Sequence, residues 1–104
     1  MTFWTPWFGA AALAALLPLS ALAQDAMLAR NLAATCANCH GTNGQARGDM
    51  RVLAGLPADK IVAAMADFKS GALPATVMHQ IAKGYTDEQI KLMAAYFAAQ
   101  QPSK

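Results

Sequence analysis

The chain has 104 residues, of which 56% are apolar, and its formal net charge is +2. This length limits the chain to one small domain, and so low a net charge gives no basis for nucleic-acid binding. Every charged side chain lies from Asp25 onward, so the chain divides into an uncharged N-terminal segment and a mixed polar and apolar remainder.

The N-terminal segment has the features of a secretory signal peptide. A short apolar run at 10–17 is followed by the small-x-small sequence Ala21-Leu22-Ala23, which predicts cleavage after Ala23. We therefore expect a signal peptide at 1–23, a mature domain at 24–104 and a periplasmic location. The usual basic residues are absent from the start of this segment, so an uncleaved N-terminal anchor stays open; if cleavage occurs, no membrane span remains.

The first predicted helix begins near Asp25, an acceptable N-cap residue, and ends at about Thr35. Leu28, Leu32 and Cys36 recur at a spacing of four and predict one face of this helix. The helix leads directly into the most informative motif of the chain.

That motif is Cys36-Ala37-Asn38-Cys39-His40, and it contains the chain's only two cysteines. A Cys-x-x-Cys-His run is typical of covalent c-type haem attachment. On one helical turn the two thiols and the imidazole point the same way. Cys36 and Cys39 can then each form a thioether to a porphyrin vinyl group, while His40 coordinates the iron. The motif predicts one haem c per chain.

Three other interpretations of the same motif need different surroundings. A thioredoxin-like thiol pair needs a βαβ unit, and the sequence has no strand pattern. A structural disulfide between Cys36 and Cys39 is a second alternative. A zinc site needs four ligands, and His79 is the sole further histidine, at a spacing unlike that of a zinc finger.

The next segments are a loop, a short apolar piece and a helix. The range 41–49 contains three glycines, which oppose regular structure and predict a loop. We expect the apolar piece 52–56 to pack on the haem. A helix then begins at Pro57 and ends at about Lys69, with Gly71 as its C-terminal cap. Its buried stripe is Ile61, Met65 and Phe68.

Two helices complete the chain. A short one is predicted from Thr76 to Lys83, after the break at Pro74. The last begins with a capping box formed by Thr86 and Gln89 and ends at about 100. Its predicted buried face is Ile90, Met93, Ala94 and Phe97. The prediction is an all-α fold of about four helices wrapped around one covalently bound haem, with alanines letting the first and last helices cross closely.

A six-coordinate haem iron needs a second axial ligand, for which the chain offers methionines and one further histidine. Met65 and Met93 fall on core stripes, where methionine ordinarily packs, and Met27 precedes the motif. The open candidates are Met50, Met78 and His79. Met78 lies far enough beyond His40 for the chain to pass around the haem edge.

Two stretches carry a family resemblance. From about 28 to 100 the chain resembles the class I cytochromes c, on the evidence of 36–44, a stretch shared by many small cytochromes. The stretches 68–71 and 75–85 resemble more particularly the cytochrome subunits of flavocytochrome c sulfide dehydrogenases. This resemblance implies that Cys36, Cys39 and His40 hold the haem and that Met78 is its distal ligand. It also implies a partner, an FAD-containing sulfide-oxidising flavoprotein that donates electrons.

The chain departs from this family at Arg51. The family often has a proline there, two residues before an apolar pair, and its backbone carbonyl orients the proximal imidazole. With Arg51 in that place, the acceptor for His40 Nδ1 is left open. The chain also has a single haem motif, so the resemblance implies a monohaem form.

The sequence thus predicts a periplasmic monohaem cytochrome c that carries single electrons and is not an enzyme, with a sulfide dehydrogenase flavoprotein as its partner. One alternative is a free-standing cytochrome that shuttles electrons to an oxidase or another dehydrogenase. A second, of another class, is a gas-binding or peroxidatic haem protein with an open sixth position. Four lysines are candidates for a basic docking rim, or else ordinary solvated helix faces: Lys60, Lys69, Lys83 and Lys91.

Overall fold

The computed structural model describes Thr2 and residues 17–102, with the backbone alone at 17–20. The described residues form five α-helices, one 3₁₀ helix and no strand, so the all-α prediction is confirmed. The helices are α1 (Leu17–Ala34), α2 (Ala37–His40), α3 (Ala58–Ser70), α4 (Met78–Lys83) and α5 (Asp87–Ala98), and the 3₁₀ helix is Thr42–Gly44. The helix beyond the four predicted is α2, which the Cys-x-x-Cys-His motif forms.

The predicted start of the first helix at Asp25 is wrong, because α1 begins at Leu17. Residues 17–24 are mostly leucine and alanine, which favour helix, and Pro18 is tolerated in a first turn. Most of the predicted signal peptide, 3–16, lies outside the described residues. None of the helices in the described part of the chain combines the length and apolar character needed to cross a bilayer.

Small side chains of α1 are buried where it packs against α5. Ala29 and Ala33 are buried, whereas Leu28, which was predicted on the same face as Leu32, is 45% exposed. On α5, Ala94 has no exposed surface. Since alanine side chains are short, they allow two helix backbones to approach closely. The predicted packing of the first helix on the last is confirmed, but alanines rather than Leu28 form the buried face.

The caps of α3 and α5 agree with the sequence prediction. Gly71 ends α3 in the left-handed conformation, with φ +83°. At the start of α5, the Thr86 hydroxyl accepts from Gln89 N at 3.1 Å, and Gln89 Oε1 accepts from Thr86 N at 2.9 Å. This reciprocal pair is the predicted capping box. The predicted apolar faces are buried at Ile61, Met65, Ile90, Met93, Ala94 and Phe97, with Phe68 half-buried beside them.

Two shorter segments differ from prediction. The predicted loop at 41–49 contains the three-residue 3₁₀ helix, which is an irregular turn because Asn43 (φ +56°) and Gly44 (φ +74°) both have left-handed φ. The fourth helix begins at Met78 rather than at Thr76. Thr76 and Val77 are β-branched, which lowers their helix propensity, and Val77 becomes the N-cap.

Candidate haem site

The haem motif forms one helical turn that begins at Cys36. The backbone N–H of His40 donates to the Cys36 carbonyl at 2.9 Å, and that of Cys39 donates to the same carbonyl at 3.3 Å. Cys36 is half-buried against the hydrophobic core, while Cys39 is exposed, and both thiols are free. The turn therefore presents one thiol at the core edge and one toward solvent, with His40 at its end.

The surroundings of Cys36 keep its thiol protonated. Burial raises the pKa of the Cys36 thiol above its ordinary value, the contact with the Thr35 hydroxyl opposes this rise, and the nearby Cys39 adds to it. Thr35 Oγ1 lies 4.0 Å from Cys36 Sγ. A thiol with a raised pKa has a smaller fraction of thiolate, the nucleophilic form, at neutral pH. Cys36 is therefore less nucleophilic than an ordinary cysteine.

His40 is oriented by a backbone carbonyl. Its Nδ1 lies 2.7 Å from the Arg51 carbonyl oxygen. Because a carbonyl oxygen can only accept, Nδ1 carries the proton and donates, which leaves the lone pair of Nε2 free for a metal. The acceptor that the sequence left open is therefore the Arg51 main chain, and it does not require proline at that position.

The Arg51 carbonyl belongs to a loop that α5 holds in place. The Gly44 carbonyl accepts from Leu53 N at 2.9 Å and from Ala54 N at 3.2 Å. Two residues further, Gly55 N donates to the Phe97 carbonyl at 2.9 Å. The orientation of His40 thus depends on hydrogen bonds that reach the C-terminal helix.

Met78 occupies the start of α4 and is half-buried against the core. The adjacent His79 makes other contacts: its Nε2 donates to the Leu73 carbonyl at 2.6 Å, and its ring lies 6.3 Å from that of Phe68. The buried positions of Met65 and Met93 confirm that these methionines belong to the core. Met50 is 43% exposed, in the loop beyond α2.

Exposed apolar side chains occur in the segments around His40 and Met78. Several large apolar side chains of the described residues are exposed in the segments that follow His40 or flank Met78, namely Val52, Leu73, Val77 and Ile81. Two free thiols on one turn and an imidazole with a free Nε2 are the donor set that covalently attached haem requires.

Fewer lysines are available for the predicted basic docking rim than the sequence suggested. Lys69 Nζ donates to the Tyr85 carbonyl at 2.5 Å and lies 3.5 Å from Asp87 Oδ1, with only 28% of its side chain exposed. Lys91 lies 3.4 Å from Glu88 Oε1, an exposed pair that contributes little to stability. Lys60 and Lys83 are exposed. Lys69 therefore has a structural contact and is not a free rim charge.

An all-helical fold with a Cys-x-x-Cys-His turn and a carbonyl-oriented histidine defines a class I c-type cytochrome. Residues 26–100 match the family described as Cytochrome c, and the chain belongs to that family. It is therefore an electron carrier rather than an enzyme, and it holds covalently bound haem c. This membership decides the motif in favour of haem over a thiol module or a zinc site.

Three relatives illustrate the range of the family. The cytochrome subunit of sulfide dehydrogenase from Chlorobaculum tepidum is 44% identical over 66 residues, which are 64% of this chain and 60% of that protein. Cytochrome c-553 of Desulfomicrobium norvegicum is 34% identical over 65% of this chain and 89% of its own length. Cytochrome c-552 of Acidithiobacillus ferridurans is 39% identical over 62% of this chain and 28% of its own. The match to the first relative thus spans less than two thirds of its length.

Sequence reasoning left two groups near the motif undecided or unnoticed. One is the Arg51 carbonyl: the family resemblance pointed to this position, but the arginine there left the acceptor for His40 open. The other is Tyr85, whose hydroxyl lies 2.6 Å from Thr35 Oγ1 although 50 residues separate the two in sequence. The hydrogen bond from Ala54 N to the Gly44 carbonyl could not be predicted from the sequence either, since the glycine is its only sign there.

Proposed function

We propose that this chain is a periplasmic monohaem cytochrome c that accepts single electrons from the FAD-containing flavoprotein of a sulfide dehydrogenase. The observation that carries the proposal is the 44% identity with the cytochrome subunit of sulfide dehydrogenase from Chlorobaculum tepidum. The stretches 68–71 and 75–85 add to it through their resemblance to that family. The flavoprotein partner and sulfide as electron source belong to the proposal.

In the proposed site, Cys36 and Cys39 would hold the haem through thioethers, and His40 and Met78 would bind its iron. Haem supplies a one-electron couple between ferrous and ferric iron. The Arg51 carbonyl orients the His40 ring and raises the basicity of Nε2 by accepting from Nδ1 at 2.7 Å. Methionine opposite histidine raises the reduction potential relative to two nitrogen ligands.

The choice of Met78 over its neighbours rests on contacts. Met78 is half-buried beside the core that also contacts Cys36. His79 donates its Nε2 proton to the Leu73 carbonyl, so that nitrogen has no lone pair for iron. Met50 lies on the loop that also supplies the Arg51 carbonyl to His40, which is the proximal side of the ring.

The ferric absorption spectrum tests the ligand assignment. A methionine bound to ferric haem iron gives a sulfur-to-iron charge-transfer band, which we expect in the wild-type holoprotein and in Met50→Ala but not in Met78→Ala. Loss of the band in Met50→Ala with its retention in Met78→Ala would show that the assignment is wrong. A wild-type spectrum without the band would favour the gas-binding or peroxidatic alternative with an open sixth position.

The partner is tested by copurification and by reduction with sulfide. We expect the tagged holoprotein to copurify with an FAD-containing protein from its own organism, and its haem to be reduced by sulfide only when that partner is present. A heat-inactivated partner is the control for direct chemical reduction by sulfide. If neither copurification nor partner-dependent reduction occurs, the free-standing shuttle is the better interpretation.

Export and cleavage after Ala23 are part of the proposal. Residues 21–28 of α1 are all exposed, and among the side chains that the structure describes in this helix the first buried one is that of Ala29. Removal of 21–23 therefore takes no buried side chain from the domain. The intact mass of the exported holoprotein measures the cleavage site directly, and a mass that retains residues 1–23 would support the N-terminal anchor instead.

A further inference from the structure

Tyr85 connects the segment after α4 to the haem motif. Its hydroxyl lies 2.6 Å from Thr35 Oγ1, and Thr35 directly precedes Cys36. The main chain of Tyr85 is also held, because its N–H donates to the Ala82 carbonyl at 3.3 Å and its carbonyl accepts from Lys69 Nζ at 2.5 Å. Tyr85 thus contacts α3, α4 and the residue beside the first haem cysteine.

The direction of the Thr35 hydrogen bond can be assigned. Thr35 Oγ1 donates its single proton to the Leu32 carbonyl at 2.8 Å, since a carbonyl can only accept. The Tyr85 hydroxyl must therefore donate to Thr35 Oγ1. Both hydroxyls are satisfied in this arrangement, and the threonine is fixed to the last turn of α1.

The helix α4 needs an external anchor of this kind. It has only six residues, and helices this short are marginal without tertiary contacts. Its N-cap, Val77, makes no side-chain capping hydrogen bond. At its start, His79 donates to the Leu73 carbonyl at 2.6 Å, and at its other end α4 is held by the fully buried Ala82 and the hydrogen bonds of Tyr85. The position of Met78 at the start of α4 therefore depends in part on the contacts of Tyr85.

We propose that the hydrogen bond between Tyr85 and Thr35, here called the Thr35–Tyr85 clasp, holds α4 in the position that keeps Met78 on the haem iron. Both residues are positioning residues that act through Met78. The inference rests on the proposed assignment of Met78 as the distal ligand. Loss of the clasp makes it easier for α4 to move away and for an external ligand to replace methionine.

Imidazole titration of the ferric holoprotein tests the clasp, with loss of the sulfur-to-iron band as the readout. Imidazole binds only after Met78 leaves the iron. Any contact that holds α4 in place therefore lowers the apparent affinity of the protein for imidazole. One net hydrogen bond between neutral groups corresponds to about a two- to tenfold change in an equilibrium constant. We expect Tyr85→Phe to bind imidazole about two- to tenfold more tightly than wild type.

Tyr96→Phe is the matched control. The Tyr96 hydroxyl donates to Asn43 Oδ1 at 2.5 Å, so this variant also loses one tyrosine hydrogen bond, but on α5 and away from α4. We expect Tyr96→Phe to have the wild-type imidazole affinity, even if its Tm falls as much as that of Tyr85→Phe. Equal imidazole affinities in the two variants would overturn the clasp.

Substitutions of Thr35 complete the test. Thr35→Ser keeps the hydroxyl and should retain the wild-type affinity, while Thr35→Val should match Tyr85→Phe. The double variant Thr35→Val/Tyr85→Phe should bind imidazole no more tightly than either single one, because both remove the same contact. Additive effects would overturn the clasp.

The Met78→Ala spectrum separates this proposal from the ligand assignment on which it rests. If the sulfur-to-iron band persists in Met78→Ala, the assignment of Met78 fails, and the clasp fails with it. If Met78→Ala loses the band but Tyr85→Phe binds imidazole with wild-type affinity, the assignment stands and the clasp alone is refuted.

Discussion

Gly44 is the position where one methyl group should have the largest effect on the loop that orients His40. Gly44 adopts φ +74°, and a Cβ there would lie 2.8 Å from Ala54 N, 2.8 Å from Phe97 Cδ1 and 2.9 Å from Leu53 Cβ. The same glycine accepts hydrogen bonds through its carbonyl from Leu53 and Ala54. Gly44→Ala must therefore both strain the backbone and displace the segment that contains Arg51.

Gly44→Ala should lower the stability for two reasons, backbone strain and overpacking, and a comparison with Gly48→Ala separates them. A non-glycine residue in the left-handed region costs about 1–2 kcal/mol, and overpacking a tight site adds about 1–3 kcal/mol. Gly48 has a similar φ, +64°, but a Cβ there would meet nothing within 4 Å. Gly48→Ala thus has the strain without the overpacking. The free energies of unfolding of the two variants should differ by about 1–3 kcal/mol. In a domain of this size, this lowers the Tm of Gly44→Ala by about 5–20 °C relative to Gly48→Ala.

The assay is thermal unfolding of the two holoproteins, followed by circular dichroism at equal haem content. We expect both variants to unfold below wild type, with Gly44→Ala clearly the lower. If their Tm values agree, the contacts of Gly44 with Phe97 and the 53–54 backbone do not restrain the loop, and the argument for how His40 is oriented is refuted.

Three further predictions concern single contacts. Phe97→Ala removes a core side chain that is 3% exposed and should destabilise the protein by about 3–5 kcal/mol in denaturant unfolding; a loss below about 1 kcal/mol would contradict its place in the core. Thr86→Ala breaks the capping box and should cost about 1 kcal/mol by the same measurement, whereas Thr86→Ser should retain most of that stability. Arg51→Ala should leave the reduction potential of the holoprotein unchanged in voltammetry, because the acceptor for His40 is the backbone carbonyl; a large shift would mean that the arginine side chain acts on the haem.

The site shows where prediction from sequence works and where it stops. Cys36, Cys39 and His40 are adjacent in the chain, so their shared helical turn follows from local geometry, and the structure forms that turn. The acceptor for His40 lies 11 residues away on an irregular loop, where position depends on Gly44 and Phe97. The Thr35 to Tyr85 contact spans 50 residues and depends on how α4 packs on α3.

The helices show the same division. Capping residues act on their nearest neighbours, so the sequence determined the box at Thr86 and the left-handed end at Gly71. The helix starts at Leu17 and Met78 were not predicted, because helix propensity changes gradually along a chain and Val77 makes no side-chain capping hydrogen bond before Met78. On the predicted face of α1, Leu32 and Cys36 pack against the core but Leu28 is exposed, because the close approach of α5 favours the smaller side chains of Ala29 and Ala33.

The sequence by itself therefore determined the class of protein, the covalent haem motif and most of the all-α framework, because each of these depends on residues that are close together in the chain. The tertiary structure alone decided which carbonyl orients His40, which helix face is buried and which hydroxyl lies beside Thr35. Those features depend on distances between segments far apart in sequence, and such distances are fixed only when the core packs.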